Sequence, residues 1–124
     1  MPRKQKIKAY KLGHFAEGFA VMMLRLKGYS ISERRYKTKM GEIDIIARKG
    51  IVTIFCEVKA RKNYITAIES LSYKQKSRIS KAAEIYMANL KSSRNNNKIE
   101  NNIYRCDMIL IIPWRWPVHI KNAW

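Results

Sequence analysis

The chain has 124 residues, enough for one hydrophobic core and too few for two. Hydrophobic residues make up 47% and aromatic residues 10%, which excludes a chain too polar to fold. Lys and Arg outnumber Asp and Glu by 26 to 9, giving a net charge of +17 and a pI near 10.2, a field that favours a polyanionic partner. A solvated lysine-rich surface, or codon bias toward Lys, Asn and Ile, would produce the same totals.

Residues 1–11 are basic with little apolar periodicity and are expected to form a flexible arm, leaving 12–124 as a single domain. No apolar segment follows the arm that could act as a signal peptide or cross a bilayer, so the expectation is a cytoplasmic protein with no membrane partner. From Gly13 to Lys27, the residues Phe15, Phe19, Met22, Met23 and Leu26 recur at helical spacing and Gly28 is a natural stop. Glu17 falls within a turn of that stripe, an expensive place for a carboxylate without a cation or donor; a surface acid near the helix N-terminus is the competing reading. Tyr29–Lys37 reads as a strand with a basic second half.

The stretch from Gly41 to Lys59 reads as a β-hairpin, two β-branched apolar runs flanking Arg48-Lys49-Gly50. A loop of Lys49-Gly50, or of Arg48 to Ile51, sets Ala47 opposite Val52, Asp44 opposite Phe55 and Glu42 opposite Glu57. One face then carries Ile43, Ile45, Ala47, Val52, Ile54, Cys56 and Val58. The other carries Glu42, Asp44, Glu57 and Lys59. In that register Asp44 and Glu57 are diagonal neighbours, about 7–8 Å apart at Cα, and can converge on one ion. Like charges gathered on half a hairpin repel unless a cation lies between them, so the cluster is expected to be a metal site.

Asp44 followed by Glu57-Val58-Lys59 resembles the catalytic core of the PD-(D/E)XK nuclease superfamily, with Ile43 where the generic motif has Pro. More closely, Gly41-Glu42-Ile43-Asp44, Phe55-Cys56-Glu57-Val58-Lys59-Ala60-Arg61, the Gly13–Gly28 stretch and Arg105-Cys106-Asp107 resemble the small bacterial YraN family, related to Holliday-junction resolvases. The resemblance covers about Leu12 to the C-terminus. It implies a restriction-endonuclease-like α/β fold, a small mixed sheet flanked by helices in the order α-β-β-β-α-β. It also implies a metal-dependent endonuclease hydrolysing DNA phosphodiester bonds, with branched or Holliday-junction DNA among the expected substrates and a homodimer among the expected states. Asp44 and Glu57 would bind Mg²⁺ or Mn²⁺ with the Val58 carbonyl and Glu17, and Lys59 would position the attacking water or stabilise the transition state. Hard oxygen ligands of this kind suit those ions better than zinc.

After Lys59, Arg61 and Lys62 lie in a polar connection that could meet a phosphate or simply be solvated. A second helix is expected from Ser72 to Lys91, with Ser72 and Gln75 at capping-box spacing and Ile79, Ala82, Ala83, Tyr86, Met87 and Leu90 as its buried stripe. Lys74, Lys76 and Arg78 crowd its first turns, where cations oppose the helix dipole, so an anion is expected nearby. The resemblance makes Gln75 and Lys76 candidates to serve the active site, against a plain surface role. Residues 92–102 read as a polar loop and Ile103–Ile112 as a largely covered strand in which Asp107 holds a basic residue. The tail from Trp114 mixes aromatics and bases, as base-stacking surfaces do, although aromatics closing the edge of a core would read alike. Cys56 and Cys106 are expected to be small core residues. A nucleic-acid-binding module that keeps the fold without turnover is the rival function, and an RNA-binding or ribosome-associated protein a second.

Overall fold

The computed structural model of the chain describes residues 3–93 and 101–124, with side chains from 15 to 91 and from 101 onward. A long helix α1 (Arg3–Leu26) leads into strands β1 (Ser30–Lys37), β2 (Glu42–Lys49) and β3 (Val52–Ala60). A short helix α2 (Tyr64–Glu69), a long helix α3 (Tyr73–Ser93), and strands β4 (Ile103–Ile111) and β5 (Val118–Ile120) complete the chain. The five strands form one mixed sheet in the order β1-β2-β3-β4-β5; β3 and β4 run parallel and the other pairs antiparallel. The fold is therefore the expected α/β arrangement with two additions, α2 and the edge strand β5.

Both faces of the sheet are covered. Ala20, Val21, Met23 and Leu24 of α1 pack on Ile45, Ala47, Ile54, Cys56 and Ile109. On the opposite face Ile79, Ala82 and Ala83 of α3 pack with Ile46, Phe55, Met108 and Leu110. This is why the central strands read as nearly continuous apolar runs, and why Ile46 and Phe55 are as buried as the residues expected to face the core.

Helix α1 corrects the expected pattern. Its sheet-facing stripe is Ala16, Ala20, Val21, Met23 and Leu24, whereas Phe15, Phe19, Met22 and Leu26 are exposed. Of the expected stripe only Met23 is buried, so helical spacing alone selected for the most part the wrong one of two apolar faces. The helix also runs back through most of the segment expected as an arm, where no Gly or Pro interrupts Arg3 to Leu12. Met1 and Pro2 lie outside the described residues, as does most of the polar loop expected over 92–102.

The hairpin closes through Gly50-Ile51, with Lys49 paired to Val52, Ala47 to Ile54 and Ile45 to Cys56. Gly50 has φ 60°, in the first turn position, which a II′ turn reserves for glycine. Each pairing is displaced by two residues from the expected register, an even shift that leaves every side chain on its face. Ile43 is the exception: it joins the α3-side cluster with Ile46. Across from this point Arg35 adopts φ 52° between the pairs Arg34–Ile45 and Tyr36–Ile43, so regular alternation is interrupted at Asp44. The start of β2 is pressed against α3, because a Cβ on Gly41 would meet the Arg78 carbonyl oxygen at 2.9 Å.

Candidate active site

The β2–β3 ladder stops at Ile45–Cys56 although both strands continue, and β3 remains paired with β4 as far as Ala60–Ile111. Beyond that stop, the backbone N–H of Val58 has no partner on β2. It donates instead to Asp44 Oδ2 at 2.9 Å, so a side chain replaces the missing backbone acceptor. Continuing the register would set Asp44 opposite Glu57, closer than the expected diagonal, and the two carboxyls share a hydrogen bond. Lys59, two residues along the strand, places Nζ 3.7 Å from Glu57 Oε1. The Glu57 and Lys59 side chains are only 14% and 13% exposed, so this charge is held largely out of water.

Burial is the main reason the Glu57 pKa is pushed up to about 8, and the adjacent Asp44 charge adds to it; Lys59 offsets part of the shift. Asp44 is also raised, chiefly by burial and further by the charge of Glu17, against the opposing Val58 N–H. Two carboxyls that hydrogen-bond to each other hold a proton between them, and a divalent cation can take that proton's place.

Glu17 reaches this region from α1 but is held by arginines: its Oε2 lies 3.1 Å from Arg35 Nε and 3.8 Å from Arg34 Nη2. Among the described residues no three His, Cys, Asp or Glu side chains are grouped so as to hold an ion, which leaves Asp44 and Glu57 as the acidic pair. That pair still fits Mg²⁺, which ordinarily takes one or two carboxylates and completes its shell with water and phosphate oxygens. The contact made by Val58 is through its N–H, to Asp44. Gln75 forms the expected capping box, its Oε1 accepting from Ser72 N–H at 3.1 Å and its own N–H donating to Ser72 Oγ at 3.2 Å. Its side chain is thereby engaged by the helix start. Arg61 and Lys62 are exposed just past the end of β3, and Lys74 and Arg78 are exposed and Lys76 half-buried on the first turns of α3.

A second charged cluster lies deeper in the sheet. Asp107, fully buried, accepts from Arg105 Nε at 2.8 Å and Nη2 at 2.9 Å, and from the Asn122 N–H at 2.9 Å. His119 Nε2 lies 2.7 Å from Asp107 Oδ2, and its Nδ1 lies 3.0 Å from Lys27 Nζ. Burial presses the Asp107 pKa upward, but the bonds to His119, Arg105 and Asn122 outweigh it and the net shift is down. The expectation that Asp107 holds a basic residue is met by Arg105. The parts played by His119 and Lys27 had no signal in the sequence, where 92 residues separate them.

Residues 16–111 match the uncharacterised protein family UPF0102. A UPF0102 protein of Mesorhizobium japonicum is 43% identical over 122 residues, covering 98% of this chain and 93% of that protein. A UPF0102 protein of Bartonella tribocorum is 43% identical over 120 residues, covering 97% and 88%, and one of Sinorhizobium medicae is 41% identical over 118 residues, covering 95% and 92%. The chain belongs to the UPF0102 family, the YraN family that the hairpin and its flanking residues resemble.

Proposed function

We propose that this UPF0102 protein is a metal-dependent endonuclease acting on DNA, with Asp44, Glu57 and Lys59 as its catalytic residues and Mg²⁺ or Mn²⁺ as its cofactor. The observation that carries the reading is the opening between β2 and β3, where two mutually hydrogen-bonded carboxyls and a lysine are gathered at a break in the backbone ladder. A group needed only for stability has no reason to keep two acids there in competition for one proton.

In this reading Asp44 and Glu57 hold the ion, which neutralises charge on the scissile phosphate and lowers the pKa of the attacking water. The Val58 N–H fixes the Asp44 carboxylate in orientation. Lys59 is kept beside the pair by Glu57, where its ammonium can donate to a phosphate oxygen or orient the water. Glu17 acts as a positioning residue: it anchors Arg34 and Arg35 on β1 and adds negative potential at Asp44. Arg61, Lys62, Lys74, Lys76 and Arg78 would contact the phosphate backbone, as the +17 charge favours. Branched or junction DNA, a homodimer and a cytoplasmic setting belong to the same proposal. No helix among the described residues is long and apolar enough to cross a membrane.

The non-catalytic binding module stands as the second reading on one observation, the Glu17 ion pairs, which show an acid of this region already matched by bases. A cleavage assay separates them. The parent should cut linear, flapped or four-way DNA with Mg²⁺ or Mn²⁺ and not with EDTA. Lys59→Ala should lose about 10²-fold or more in rate while binding DNA as before, because its role is in the transition state. No metal-dependent cutting of any substrate would leave the binding module.

A further inference from the structure

The three tryptophans are used in two different ways. Trp124 closes the α3-side core, its Nε1–H donating to Ser80 Oγ at 3.1 Å. Trp114 and Trp116 point outward from the loop between β4 and β5; Trp114 is fully exposed and Trp116 is 59% exposed. Trp114 also has φ 63°, a left-handed conformation that a bulky side chain adopts only at a cost of about 1–3 kcal/mol. Pro113 and Pro117 flank the loop, Arg115 N–H bonds to the Ile112 carbonyl at 3.3 Å, and the pairing of Leu110 with Val118 ties its two ends together. Two large aromatic rings are thus presented to water on a short, stiffened loop with exposed Arg115 between them.

The loop sits at the end of the sheet that carries the carboxyl pair. β3 and β4 are parallel, Lys59 is paired with Leu110, and Arg61 N–H bonds to the Ile111 carbonyl at 3.2 Å. Trp114 follows Leu110 by four residues, so at most about 14 Å of chain separates it from the residue paired with Lys59. Exposed Arg61 and Lys62 lie on the intervening edge.

We infer that Trp114 and Trp116 form a stacking site for unpaired nucleobases beside the scissile phosphate, which makes the preferred substrate a nucleic acid with a single-stranded segment, such as an overhang or flap, rather than a fully paired duplex. The inference rests on the nuclease reading for its placement, and three features carry it: exposed π-faces, a cationic setting complementary to phosphate, and a loop whose ordering cost is already met in the free protein. Stacking accepts any base, because every base has a π-face, whereas paired bases hide theirs within the helix.

Binding of the full chain to a short single-stranded oligonucleotide and to its blunt duplex, in EDTA, tests it without depending on cleavage. Single strand should quench tryptophan emission and duplex should not. Trp114→Ala and Trp116→Ala should each weaken single-strand binding about tenfold while leaving duplex affinity and the salt slope unchanged, the unchanged duplex binding also showing that the variants fold. Equal quenching by both nucleic acids, single-strand affinity unaffected by both substitutions, or quenching by anionic phospholipid vesicles but not by oligonucleotide would each overturn the inference. If the duplex still binds in such a case, the nuclease reading survives; if single-strand stacking is found but no substrate is cut, the nuclease reading falls and the stacking site remains.

Discussion

Asp107 and the Asp44–Glu57 pair are two answers to one problem, a carboxylate placed inside a sheet. Asp107 receives a bidentate arginine, a histidine and a backbone N–H, and its pKa falls despite complete burial. Asp44 and Glu57 receive one backbone N–H and one lysine between them, and the pKa of each rises. In a chain with nearly three bases for every acid, a shortage of cations is not the reason. The pair is left short of positive charge by position, at a break in the backbone ladder. On the proposed reading, that difference separates a centre that serves stability from one that takes a further ligand.

The sharpest way to break the comparison is at Asp107. Asp107→Ala leaves the half-buried Arg105 and the buried His119 ring without their acceptor and should cost about 3–5 kcal/mol with or without metal. A fall in Tm of about 10–20 °C is the corresponding readout. A variant that melts with the parent would place Asp107 outside the stabilising network.

At the other centre, divalent cation should raise the Tm of the parent, by about 2.7 kcal/mol in stability when the ion is at a hundred times its Kd. Asp44→Asn and Glu57→Gln should each remove that rise, and in EDTA should leave stability unchanged or higher because a neutral amide lowers the cost of burying two carboxyls side by side. Loss of stability in both variants regardless of metal would make this pair another Asp107 and sink the catalytic assignment.

The smallest effect is a difference of slope. Between its ordinary value of 4.5 and about 8, folded Glu57 keeps a proton that the unfolded chain releases, so in EDTA stability should fall as pH rises through that window. The decline is at most about 1.4 kcal/mol per pH unit, and Glu57→Gln should flatten it. Asp107 acts with the opposite sign: its contribution is present above the ordinary 3.8 and is lost as pH falls through the lowered value. Chemical denaturation across pH in the parent and Glu57→Gln reads both slopes.

Much of this was legible in residue order. Ser72 and Gln75 announced a capping box that forms as spaced, Gly28 ends α1 with φ 96°, and β1 and β4 occupy almost their expected spans. The buried face of α1 was not legible, because Phe15, Phe19, Met22 and Leu26 satisfy helical periodicity as well as the smaller residues that pack. The hairpin register was also missed by two residues, since Lys49-Gly50 and Gly50-Ile51 are both plausible turns and an even shift leaves the pattern of faces intact.

By itself the sequence determined that this is a basic α/β domain with Asp44, Glu57 and Lys59 on one hairpin, because alternation, turn glycines and capping residues act over a few neighbours and leave their mark locally. Only the tertiary structure decided that Glu17 belongs to Arg34 and Arg35, that Gln75 is held by its cap, that His119 joins Lys27 to Asp107, and that Trp114 faces water while Trp124 does not. Those outcomes depend on which distant segments meet and on how much solvent they exclude, and burial and Coulomb interaction across such contacts have no signature in local spacing.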